Sequence, residues 1–155
     1  MLEKLSQAFG VSGFEDEVRG ILAQELKKNT DKIEEDKFGN IIATKKGKKD
    51  APSVMIAAHM DEIGFLVKSI TSEGFLKFEK VGGIDDRTVS NRDVIIKTQK
   101  RMVPGVIGFI PPHIVKEEEK NKVVEYEKFA IDIGARGKED AEKIIYKITP
   151  LIAEL

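Results

Sequence analysis

The sequence predicts an α/β chain in which a helix laid on a small sheet is followed by a small β-barrel or sandwich and then a C-terminal helix. Three observations carry this. Phe14, Val18, Ile21, Leu22 and Leu26 repeat at helical spacing and make one apolar stripe. An apolar run of strand length, Val54 to Ala58, ends abruptly in His59, Asp61 and Glu62. From residue 63 onward, short apolar segments punctuated by glycine recur with no helix between them, the texture of a small barrel or sandwich.

Taken in order, Ser12-Gly13-Phe14-Glu15 reads as a capping box, with serine hydroxyl and glutamate carboxylate each satisfying an orphan amide. The helix it starts should run to about Lys28, its stripe serving as core. Residues 31–37 and 40–45 form a hairpin around Gly39-Asn40, followed by a lysine-rich turn at 45–49 and a strand at 53–58. Later strands are expected at 63–70, 75–79, 93–98, 103–110 and 128–133. A domain boundary falls near residue 63, so that 1–62, 63–135 and 136–155 are expected to be an α/β part, a β-domain and a helical segment. The polar run Lys116 to Lys122 reads as an exposed loop. Lys138 to Leu155 reads as helical, with Ala141, Ile144, Ile145, Ile148, Leu151 and Ile152 on one side and Pro150 ending or kinking it.

Composition excludes several function classes. A chain of 155 residues with 41% hydrophobic content is long enough for a real core. With 26 basic and 27 acidic residues the net charge is near zero, so nothing points to nucleic acid or to an acidic membrane surface. There are no cysteines, which removes disulfides and thiolate metal sites and fits a reducing cytoplasm. No stretch has the length and apolarity of a signal segment or bilayer span.

The chemistry concentrates at the end of the apolar run. In extended backbone, residues two apart share a face, so His59 and Asp61 project together while Glu62 points away. An imidazole can ligate a metal ion through one ring nitrogen, and a nearby carboxylate can join it or hold the ring's tautomer from behind. The bland alternative is a satisfied histidine beside a polar turn, because one such triplet supplies only part of a metal site.

The surroundings of His59 resemble the TET and deblocking type of metallo-aminopeptidase, a family whose members also carry endoglucanase or cellulase names. The resemblance rests on Gly10-Val11-Ser12-Gly13-Phe14-Glu15, on Asp36-Lys37-Phe38-Gly39-Asn40, and on Ala58-His59-Met60-Asp61-Glu62-Ile63-Gly64-Phe65. It continues through Gly74-Phe75-Leu76, Val81-Gly82-Gly83-Ile84-Asp85, Gly105-Val106-Ile107-Gly108, Pro111-Pro112-His113 and Ile131-Asp132-Ile133-Gly134-Ala135. Each motif alone is weak; their order and spacing over residues 4–143 are not.

The resemblance implies an α/β zinc-peptidase catalytic domain represented by its N-terminal part, with a β-domain used for dimerisation inserted after the first metal-ligating histidine. It implies two divalent ions, zinc or cobalt, a peptide substrate with a free N-terminus, and a homo-oligomer that is at least a dimer. His59 is then the metal ligand and Asp61 the carboxylate that orients it. The family's later ligands, a bridging aspartate, a glutamate pair, another acidic ligand and a final histidine, should lie past residue 155. Metal occupancy and activity in this chain alone are therefore not expected. Asp86, in Asp85-Asp86-Arg87, superficially matches the bridging aspartate, yet its flanks belong to the β-domain and suggest a turn with a local ion pair. His113 is read as a polar turn residue.

Three functions follow: a metal-dependent aminopeptidase present as an incomplete chain, a noncatalytic oligomerisation module derived from one, and an endoglucanase-type glycosidase. The last ranks lowest, because glycoside hydrolysis needs two carboxylates flanking the scissile bond and no residues nominate such a pair.

Overall fold

The computed structural model describes residues 1–98, 100–109, 123–145 and 152–154, the last three by backbone alone. The chain divides into two compact units, Met1–Glu62 and Ile63–Leu155. The loop expected at Lys116–Lys122, His113, and the residues following Ile145 as far as Leu151 lie outside the described residues.

The first unit has a short helix α1 (Leu2–Ser6), a longer helix α2 (Asp16–Leu26) and an antiparallel hairpin of β1 (Lys32–Glu35) and β2 (Ile41–Thr44). The connection Asp36–Asn40 is organised by one carboxylate. Asp36 Oδ1 accepts from the amides of Phe38 and Asn40, at 2.9 and 3.0 Å, and Oδ2 accepts from the Asn40 side chain at 2.8 Å. Gly39 has φ +82°, and a Cβ there would stand 2.5 Å from Arg19 Nη2. That close approach lets Arg19 Nε donate to the Gly39 carbonyl at 2.9 Å and tie α2 to the hairpin turn.

Two sequence expectations in this unit are corrected. The capping box does not form: α2 has Glu15 at its N-cap with no side-chain cap bond, and the Glu15 carboxylate accepts from Gly13 N–H at 2.6 Å. The left-handed backbone of Gly13, φ +89°, turns that amide toward Glu15, and the Ser12 hydroxyl is used elsewhere. Residues 53–58 are not in a strand. Val54, Met55 and Ile56 are 84%, 88% and 93% exposed, and no neighbouring strand among the described residues offers them a ladder of hydrogen bonds.

The second unit is a closed barrel of six strands, every neighbouring pair antiparallel. In barrel order these are β3 (Gly64–Ile70), β4 (Leu76–Val81), β7 (Ala130–Asp132), β6 (Met102–Gly108), β5 (Asp93–Lys97) and β8 (Ile152–Glu154). Alternation places Val94 and Ile96 of β5, and Val103 and Ile107 of β6, inside. They join Phe65, Leu76, Phe78, Phe129 and Ile131 in one core, with the Phe65 and Phe78 rings 4.6 Å apart. Burying each such side chain contributes roughly 1.5–3 kcal/mol. Lys77 Nζ donates to the carbonyls of Glu127 and Phe129, both at 2.9 Å, and so fixes the approach to β7.

The expected C-terminal helix is present as α3 (Lys138–Ile145), whose Ala141 and Ile145 are buried. Residues 152–154 are not its continuation. They form β8, which pairs with β3 on one side and β5 on the other and closes the barrel. The physical reason is that β3 and β5 would otherwise present open backbone edges, whereas a helix through Pro150 would lose a hydrogen bond. Among the described residues no helix is long and apolar enough to cross a membrane.

Candidate metal-ligand site

The candidate site belongs to the first unit and is built where two segments distant in sequence meet. Val11 and Glu62 form an isolated parallel bridge. The Glu62 amide donates to the Gly10 carbonyl at 2.9 Å, and the Ser12 amide donates to the Glu62 carbonyl at 3.2 Å. The Glu62 side chain returns to the same strand-like segment, its Oε1 accepting from Gly10 N–H at 3.1 Å. Glu62 is thereby a brace. A Cβ on Gly10 would stand 2.7 Å from Val18 Cγ2, so only glycine lets this segment lie against α2 without a shift.

His59 and Asp61 are brought together although the backbone around them is not a strand. His59 Nδ1 lies 3.0 Å from Asp61 Oδ1 and 3.0 Å from the Asp61 carbonyl oxygen. The other carboxylate oxygen, Oδ2, accepts from the Ser12 hydroxyl. That hydroxyl holds the Asp61 carboxyl below the usual carboxylate range, and the His59 ring adds to the effect while partial burial opposes it. The His59 side chain is 85% exposed and that of Asp61 38%. With Nδ1 as the donor to two oxygens of Asp61, the lone pair sits on Nε2. Beside the pair lies a depression of about 550 Å³, with Leu22, Leu26 and Ile41 on its apolar side.

The donor set fits one coordination position and no more. Among the described residues no group of three or more His, Asp or Glu side chains could hold a metal ion, whereas a zinc site takes three or four protein ligands. Asp86 stands in a local ion pair, its Oδ1 2.6 Å from Lys80 Nζ. Lys80 also donates to the Ile84 carbonyl at 3.2 Å and lies over the Tyr126 ring, 4.6 Å from its centroid. Asp85 caps the 3-10 turn Asp86–Thr88 and accepts from the Arg87 amide and guanidinium. The residue that sequence reasoning misplaced is Ser12: its partner lies 49 positions away, beyond the reach of any local pattern.

Comparison with known proteins bears on the whole chain. A family profile described as M42 glutamyl aminopeptidase matches residues 39–153. The lysyl aminopeptidase of Pyrococcus furiosus is 35% identical over 150 residues, covering 96% of this chain and 43% of that protein. The crystal structure of a TET aminopeptidase from Thaumarchaeota archaeon SCGC AB-539-E09 superposes with a TM-score of 0.90 at 38% identity, covering 98% of this chain and 42% of the other. Pyrococcus horikoshii TET1 peptidase, which can assemble into a tetrahedron or a large octahedral shell, superposes at 0.81 with 40% identity, covering 98% and 44%. The chain spans about two fifths of the length of the curated relatives it matches.

Proposed function

Because this chain belongs to the M42 glutamyl aminopeptidase family, we propose that it contributes the first metal ligand, His59, to a metal-dependent aminopeptidase acting on peptides with a free N-terminus. The observation that carries this reading is the His59–Asp61 pair: an exposed imidazole whose Nδ1 lies against a carboxylate oxygen. In this reading the first unit is part of a catalytic domain and the barrel is its dimerisation domain. Asp61 fixes the ring's tautomer and orientation. A pair of divalent ions, zinc or cobalt, would supply an activated water and polarise the scissile carbonyl when bound. The described residues complete no such site, and in this reading the remaining ligands are supplied by other residues, such as those of a complementing polypeptide.

The test is hydrolysis of a leucine-linked chromogenic amide with added cobalt, run on the chain and on His59→Ala. The expected result is no turnover by the chain alone, with turnover appearing only when the missing ligands are supplied and disappearing again in His59→Ala. Turnover unaffected by His59→Ala would overturn the assignment. A second reading, a noncatalytic assembly module, is favoured by one observation, the closed barrel that needs no further strand. It calls for a homo-oligomer that binds no metal and shows no turnover even when the missing ligands are supplied, and the supplemented assay separates the two. A cytoplasmic location fits both readings.

A further inference from the structure

We propose that Ser12 is a positioning residue for the His59–Asp61 pair, its hydroxyl pinning one carboxylate oxygen of Asp61 so that the other faces the imidazole. The functional consequence rests on His59 being a metal ligand, but the geometry does not. Ser12 Oγ donates to Asp61 Oδ2, while Asp61 Oδ1 lies 3.0 Å from His59 Nδ1, so the carboxylate is held at both oxygens and cannot rotate without losing a partner. A second acceptor for the same hydroxyl, the Glu62 carbonyl, is more distant at 3.4 Å.

Ser12 is itself held. Val11 beside it is fully buried, and the bonds between Gly10 and Glu62 and between the Ser12 amide and Glu62 fix the backbone on both sides. A free aspartate two residues from a histidine samples several rotamers, and an exposed imidazole exchanges between its tautomers. Anchoring the far oxygen removes that freedom, which is how a supporting residue sets a ligand's direction without touching the metal. A serine on a merely solvated loop would need neither the buried neighbour nor the paired backbone.

The test reads the ring directly, in the metal-free chain, from the 15N shifts of His59 Nδ1 and Nε2. Wild type is expected to populate the tautomer protonated at Nδ1. Because the Asp61 carbonyl also accepts from Nδ1, Asp61→Ala calibrates what that carbonyl does alone. Ser12→Ala should move the populations toward those of Asp61→Ala, and Ser12→Thr should restore them. Ser12→Val, the same shape as threonine without the hydroxyl, serves if alanine fails to fold, and should behave as alanine does. Wild-type populations in Ser12→Ala or Ser12→Val, or an Nε2-protonated ring in wild type, would overturn the proposal. None of these outcomes depends on turnover, so an inactive protein leaves the test intact.

Discussion

His59 Nδ1 faces two acceptors of one residue, the carboxylate and the backbone carbonyl of Asp61, each at 3.0 Å. The pair forms even though residues 53–58 before it are not in a strand. Its independence has a physical basis. The contact spans two residues, and Asp61 is anchored through Ser12 to a segment that is itself paired with Glu62. His59 is therefore placed by a clip between two loops rather than by the edge of a sheet.

Asp86 should prove structural. Its ion pair with Lys80 is partly buried, the two side chains being 25% and 24% exposed. Asp86→Asn is expected to cost about 1 kcal/mol of stability, the range of a partly screened pair with one charge-assisted hydrogen bond. Zinc titration should be the same for the variant as for wild type. Loss of an ion-binding event in Asp86→Asn would restore its candidacy as a ligand.

Asp85 gives a pH prediction. The Arg87 side chain, followed by the Arg87 amide, lowers its carboxyl to about 2. A carboxyl depressed in the folded state stabilises above its unfolded value, about 3.9, and loses that contribution as pH falls toward 2. Carboxyl 13C titration should therefore show Asp85 still ionised at pH 3, and Arg87→Ala should bring its midpoint back toward the ordinary aspartate value. An unchanged midpoint in the variant would show that the pairing does not form in solution.

What was legible in the sequence followed from period. The short apolar segment at 93–98 announces a strand that is in place; so is the stripe on α2, with Val18 its most buried member. The His59–Asp61 pairing was legible because it needs only a two-residue offset. Long-range choices were not. Ser12-Gly13-Phe14-Glu15 satisfies a local capping rule, but the hydroxyl goes to a carboxylate 49 residues on, an acceptor no local pattern could point to. Ile152–Glu154 continues an apolar pattern compatible with a helix, and its state is decided by the open edges of β3 and β5. The run at 54–58 has strand composition without a strand partner, and composition supplies no hydrogen bonds.

That uncovered run yields the next prediction. Val54 and Ile56 are 84% and 93% exposed, so they contribute almost no burial to the stability of this chain. Val54→Thr and Ile56→Lys should change the unfolding free energy by no more than about 0.5 kcal/mol, as surface substitutions do, and should lower binding of a hydrophobic dye. A loss of about 2 kcal/mol or more, the cost of truncating a core side chain, would mean that the run is covered in solution.

Gly105 is a position where the barrel leaves no room for a side chain. It faces inward on β6, and a Cβ there would stand 2.6 Å from Ile131 Cγ2, 3.0 Å from Ile96 Cδ1 and 3.1 Å from the Asp132 carbonyl oxygen. The first two are side-chain ends that can give, but the third is backbone of the paired strand β7, so relief requires β6 and β7 to move apart. Overpacking of this kind costs about 1–3 kcal/mol. Gly105→Ala should lower the thermal midpoint accordingly, and the double variant Gly105→Ala with Ile96→Val should recover part of the loss by removing Ile96 Cδ1, the methyl 3.0 Å from the new Cβ. No recovery in the double variant would assign the cost to the contacts that remain, with Ile131 Cγ2 and the Asp132 carbonyl.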